Sequence, residues 1–207
     1  MYGDNLTIHY LPWINRLYNI EAKNMCMGLF IYMFFLLSKR RFNMKKEDIY
    51  NLLKEKGIWH EITEHGEVYT MEDLAAIDLP YPEADAKNVF VRDEKKKNFY
   101  LLTIKANKRV DIKKFQQDYE TKRLSFVSEN DLMKILQLIP GSVSPFGLLN
   151  DEELKVQFFI DTDFLKDDDT IIGVHPNENT ATVWLKTKDL IDIIKEHGNT
   201  VNRFVIK

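Results

Sequence analysis

The sequence predicts an α+β fold, a mixed and largely antiparallel sheet of about seven strands flanked by helices. Three observations predict it. Apolar runs separated by a charged turn, and later by a polar turn, read as antiparallel hairpins. Amphipathic helical segments open and close residues 44–207. Strands and helices also lack the regular βαβ alternation that a parallel sheet needs. At 44% hydrophobic, 12% aromatic and 29% charged, the 207-residue chain is neither disordered, collagenous nor a simple coiled coil.

The elements follow in order. In residues 45–56, KKEDIYNLLKEK, Ile49, Leu52 and Leu53 share one helical face, and Gly57 stops the helix. IWHEITEH is a short strand offering Ile58 and Ile62 to a core. Thr70 caps a helix running MEDLAAI, with Asp73 in the box position, and Tyr81-Pro82 ends that region. VFVRD and NFYLLTI form a hairpin across the charged turn EKKKN. ANKRVDIKKFQQDY is a turn and short helix, and LSFVS a strand. ENDLMKILQL is a helix with Leu132, Ile135, Leu136 and Ile139 at helical spacing. PGSVSPFGLLND is a loop, VQFFIDTDFL, TIIGVHP and TATVWLK are strands, and TKDLIDIIKEHG closes the domain as a helix.

Charge is uneven. Residues 1–43 hold five basic and two acidic residues, a net of +3, and the remainder holds 24 basic and 30 acidic, a net of −6. The first segment carries the apolar run MCMGLFIYMFFLL followed by SKRR. That run of 13 residues is shorter than the roughly 20 a membrane-spanning helix needs. Its basic cluster follows the run, whereas in a signal peptide it precedes it. Residues 1–43 are therefore read as an N-terminal extension: translated upstream sequence, a poorly packed appendage or a weak interfacial anchor. Residues 44–207 are the working domain. No stable membrane span is expected, and the single cysteine, Cys26, suits a reducing, cytoplasmic setting.

GxSxG, HExxH, Walker and GxGxxG signatures are absent, and the five histidines show no metal spacing. No cofactor or metal is called for. Three features remain. In ADAKNVFVRD, Lys87 stands at a strand start beside Asn88, where it can hold a phosphate as a point charge or be a solvated lysine. In PGSVSPFG, Gly141 and Gly147 permit backbone conformations other residues avoid. The loop can aim N–H groups at an oxyanion or be an ordinary tight connection. In GVHPNENTATV, His175 precedes a polar turn of Asn177, Glu178, Asn179 and Thr180, either a ligand-facing turn or a structural hairpin. Separately, residues 95–123 hold ten basic residues against three acidic ones. They are a candidate polyanion surface, with Lys95, Lys96, Lys97, Lys108 and Arg109 as its candidates.

Together these features resemble the aminoacyl-tRNA deacylases of the YbaK/ProX type over residues of about 45–200. KNVFVRDEKKKNFYLL is similar to the family's lysine-bearing strand and hairpin. GSVSP is similar to its GxxxP loop, and HPNENTATV to its histidine–proline turn, in the same order. KN-hydrophobic-F-hydrophobic-RD with HPNENTATV looks most like the ProX group, which clears alanine from mischarged proline tRNA.

The resemblance implies a free-standing hydrolase of mischarged proline tRNA acting in trans to prolyl-tRNA synthetase. Lys87 would hold the terminal adenosine or phosphate region, the Gly141 N–H would fix the carbonyl and oxyanion, and His175 would line the aminoacyl pocket. Pro145 would set the loop, with Asn88, Asn179 and Thr180 shaping the pocket. A water, activated by a ribose hydroxyl of the tRNA, would attack the ester. The competing expectations are Cys-tRNA(Pro) or Ser-tRNA as substrate, a non-catalytic tRNA-binding module, and a membrane-attached interaction protein driven by residues 25–41. If the basic stretch faces tRNA, kcat/KM falls as salt rises.

Overall fold

A computed structural model describes residues 43–67 and 77–206. The predicted helix after Thr70 and nearly all of the 1–43 extension lie outside the described residues. Among the described residues eight strands form, one more than the sequence count, in two sheets ordered β1-β7-β6 and β4-β2-β3-β5-β8.

Helix α1 (Lys46–Glu55) opens with Asp48 accepting from the Lys45 N–H at 3.0 Å and buries Ile49 and Leu53. β1 (His60–Glu64) pairs antiparallel with β7 at the edge of the smaller sheet. There Ile62 is 38% exposed, so the core place expected for it is not filled. β2 (Ala86–Asp93) and β3 (Phe99–Lys105) form the predicted hairpin. α2 (Ile112–Asp118) is capped by Asp111, whose carboxylate accepts from the Lys114 N–H at 3.0 Å. β4 (Leu124–Phe126) adds to the edge of β2, and α3 (Glu129–Ile135) is capped by Ser128. The helix stops before Ile139, which is 57% exposed rather than in the core.

The expected loop after α3 contains a 3-10 turn, Pro145–Asn150. Gly147 is needed there for space: a Cβ would come within 2.6 Å of the Leu138 side chain. β5 (Val156–Asp161), β6 (Ile171–Val174), β7 (Ala181–Lys186) and α4 (Thr187–His197) follow. β8 (Val201–Phe204) pairs parallel with β5, and β5 pairs parallel with β3, so the larger sheet is mixed.

The larger sheet has two clothed faces. One packs Phe90, Leu101 and Phe158 with α1, α3, α4 and the smaller sheet into the main core. The other packs Val91, Ile104 and Phe159 under Phe115 of α2. A bridge between Asp85 and Gly173 joins the start of β2 to β6. Gly173 is required because Trp184 lies where its Cβ would be, 2.3 Å away. Among the described residues no helix is long and apolar enough to cross a membrane.

Candidate active site

Strand period decides where β2 sends its polar side chains. Neighbouring residues point to opposite faces, and directly paired residues share one. Asn88 pairs with Thr103 on the main-core side. The Thr103 hydroxyl donates to Asn88 Oδ1 at 2.6 Å, and Asn88 Nδ2 donates to the Val143 carbonyl at 3.0 Å. The strand thereby holds the GSVSP loop.

The loop holds the histidine turn in its place. The buried Ser144 hydroxyl donates to the His175 carbonyl and accepts from the Phe146 N–H, which starts the 3-10 turn at buried Pro145. Gly141 sits at φ +89°, a conformation that suits glycine. The His175 imidazole meets the main chain of this glycine, and because that contact favours the charged ring, it is the Gly141 carbonyl that faces the histidine. Burial drives the His175 pKa down to about 4, and the nearby His65 ring adds to this, while the Gly141 bond opposes it. The His65 and His175 ring centroids are 6.0 Å apart. His65 is held by its N–H on the Thr180 carbonyl at 3.0 Å. Its ring nitrogens lie 2.7 Å from the Gly66 carbonyl and 3.2 Å from the Thr182 hydroxyl.

A second link runs through the entry to α1. Asn177, at φ +63°, donates through Nδ2 to the Met44 carbonyl at 2.7 Å. The Met44 N–H donates to Asn150 Oδ1 at 2.7 Å, and Asn150 Nδ2 donates to the Leu136 carbonyl at 2.8 Å. One segment at Met44 thus splints the glycine loop to the histidine turn. Lys46 donates to the Thr180 hydroxyl at 3.2 Å and pairs with Glu64, which also accepts from Tyr50 at 3.1 Å. Burial raises the Tyr50 pKa, with Glu64 adding to it, and Lys46 lowers that of Glu64. A cavity of about 330 Å³ lies beside these loops, lined by Met44, Lys45, Pro140, Ser142, Asn177 and Thr180 among others.

Lys87 lies on the other face. It pairs with Ile104, a residue of the α2-side core. Its ammonium donates to the Ala106 carbonyl at 3.0 Å and to the Lys108 carbonyl. Burial lowers its pKa, and Arg109 lowers it further. The fold therefore gathers Asn88, Gly141, Pro145 and His175, with Asn179 and Thr180 on the same turn, and leaves Lys87 behind β2. Of the candidate polyanion residues, Lys108 is tied to Asp161 and Asp163 at 2.8 Å each and Lys96 to Asp131 at 2.9 Å, while Lys95, Lys97 and Arg109 are exposed.

Sequence reading missed His65, Met44, Asn150, Ser144 and Lys46. Ser144 had a signal, a hydroxyl just before a proline that begins a helical turn. The others act through partners far away in sequence. Among the described residues no three His, Cys, Asp or Glu side chains cluster to hold a metal. The Ser142 and Ser144 hydroxyls both donate to main-chain carbonyls. The arrangement suits fixing and polarising a carbonyl beside a neutral imidazole.

Residues 65–193 match the aminoacyl-tRNA editing domain family. Over 155 residues the chain is 39% identical to the prolyl-tRNA editing protein ProX of Acetoanaerobium sticklandii, covering 75% of this chain and 93% of that protein. It is 29% identical over 141 residues to prolyl-tRNA synthetase associated domain-containing protein 1 of Mus musculus, covering 67% and 83%. A solved structure described as a candidate trans-editing enzyme for prolyl tRNA synthetase superposes with a TM-score of 0.56 at 15% identity, covering 78% of this chain and 97% of that one. That likeness is one of fold.

Proposed function

The chain belongs to the aminoacyl-tRNA editing domain family and is an aminoacyl-tRNA deacylase, and from that premise we propose that it hydrolyses Ala-tRNA(Pro) in trans to prolyl-tRNA synthetase. The observation that carries the reading is the meeting of the Gly141 loop with a half-buried His175 that desolvation keeps neutral, the loop held by Asn88 on the Val143 carbonyl and the histidine by Ser144 on its own carbonyl.

The ester of a charged tRNA is already activated, so positioning and oxyanion stabilisation supply much of the rate. Gly141 presents its N–H to the ester carbonyl as negative charge develops there. Pro145 and Ser144 hold that loop in shape. His175, kept uncharged, lines the aminoacyl pocket without repelling the substrate's α-ammonium, and Asn88, Asn179 and Thr180 complete the wall. Lys87 holds a phosphate of the 3′ end by exchanging its main-chain carbonyls for phosphate oxygens. A water, deprotonated with help from a ribose hydroxyl, adds to the carbonyl, and the bond to the ribose oxygen breaks. The products are free alanine and uncharged tRNA. The residues from 44 onward carry this activity, and residues 1–43 stand outside it. The setting is the cytoplasm, where tRNA and the synthetase are found.

Alanine is the natural target for such a sieve. A proline pocket rejects a smaller side chain by only about 1–3 kcal/mol, so a second pocket that admits alanine and excludes proline completes the discrimination. The test is deacylation of proline tRNA charged with alanine, cysteine, serine or proline. Fastest release of alanine and no release of proline supports the reading. Fastest release of cysteine, or of serine, replaces alanine as the substrate, and no release at all removes the activity.

A further inference from the structure

On the α2 side of the larger sheet an open groove of about 880 Å³ runs between α2 and the edge strand β4. Its floor is apolar, with buried Val91 and half-buried Ile112, and no carboxylate lines it. Leu124 and Phe126 share a face of β4, yet Leu124 is 8% exposed and Phe126 is 71% exposed. Lys113 and Arg123 stand in the groove wall, both exposed and without an ion pair among the described residues. By contrast Lys96, Lys108 and Lys114 are all paired to aspartates.

Two cations without a counter-charge, beside one bare ring, form the pattern that grips single-stranded nucleic acid. Cations track the phosphates, and a base stacks on the aromatic face. A protein partner would want apolar volume to bury, and Phe126 is the only well-exposed apolar side chain lining this groove. We propose that the groove is an RNA site that takes an unpaired stretch of the tRNA, one base on Phe126 and its phosphates on Lys113 and Arg123. The identity of that RNA rests on the deacylase reading above; the groove's chemistry does not.

The test uses the full chain and uncharged proline tRNA, with affinity measured over a salt series, so that it is independent of hydrolysis. Phe126→Ala weakens binding by about tenfold, and Phe126→Trp restores it, in keeping with the worth of one stacked base. The double change Lys113→Gln and Arg123→Gln lowers the slope of log affinity against log salt by about 1.4, since each single-strand phosphate contact contributes about 0.7. The same variants cleave an alanyl ester of adenosine, which is too small to reach the groove, at the wild-type rate. Unchanged tRNA affinity and salt slope in all variants overturns the proposal. So does loss of binding to purified prolyl-tRNA synthetase with tRNA affinity intact, because the groove is then a protein site. Groove-dependent tRNA binding by a chain that deacylates no charged tRNA upholds this inference and removes the deacylase reading.

Discussion

Lys87 and Asn88 are neighbours on β2, and the two faces they occupy are built differently. On the Asn88 face, polar groups are locked to one another: Asn88 on the Val143 carbonyl and Ser144 on the His175 carbonyl, with the imidazole against the Gly141 main chain. On the Lys87 face, cations lie along α2 and at the start of β4, one of them, Lys114, tied to Asp118 and others, like Lys113 and Arg123, open to solvent. The first face is fixed in geometry and nearly neutral. The second is charged and open. A carbonyl that must be polarised calls for the first, because preorganised dipoles need no rearrangement during the reaction. A polyanion that must be gripped and released calls for the second.

The sharpest way to break this division is at the loop that carries the left-handed backbone. Gly141→Val places a β-branched side chain at φ +89° and displaces the N–H, so kcat falls by about 100- to 1,000-fold, the cost of one oxyanion donor. Single-turnover release of alanine measures it, and KM should change little. On the opposite face, Lys87→Ala lowers kcat/KM for tRNA by about 10- to 150-fold, the worth of a charged hydrogen bond of about 1.5–3 kcal/mol. That loss belongs mainly in KM.

Two groups near the site give the stability opposite dependences on pH, His175 on its turn and Asp85 at the bridge from β2 to Gly173. Burial lowers the His175 pKa to about 4, so the unfolded chain binds the proton more readily. Stability is complete above about pH 6.5 and is lost as pH falls towards 4. Burial raises the Asp85 pKa to about 6, so there the folded chain holds the proton more tightly. Stability is lost as pH rises from about 4 to 6. The two slopes oppose each other in one window, each up to about 3 kcal/mol. Relative to wild type, His175→Gln gains stability as pH falls through the window, and Asp85→Asn gains it as pH rises. Urea unfolding at pH 4.5, 5.5 and 7 reads both. A smaller effect is expected at the splint. Asn150→Ala strands the Met44 N–H and the Leu136 carbonyl and costs about 1–3 kcal/mol in the same measurement.

The local parts of the fold were legible in the sequence. The β2–β3 hairpin, α1 and α4 are written in periodicity and in stop signals such as Gly57 and Gly198, which take φ +64° and +112°. β8 was not, because its four residues, Asn202 and Arg203 among them, carry little apolar alternation. The site's motifs stood out one by one, but their connections did not. Asn177 and Asn150 meet Met44 across sequence separations of 133 and 106, and no local pattern encodes such a meeting. The separation of Lys87 from Asn88 was readable from strand period alone.

The most direct measurement is kcat and KM on Ala-tRNA(Pro), determined separately for His175→Ala and for Lys113→Gln with Arg123→Gln. The division of the two faces predicts that the histidine variant loses kcat at nearly constant KM, and that the groove variant raises KM at nearly constant kcat. A groove variant that loses kcat, or a histidine variant whose only defect is in KM, would contradict it.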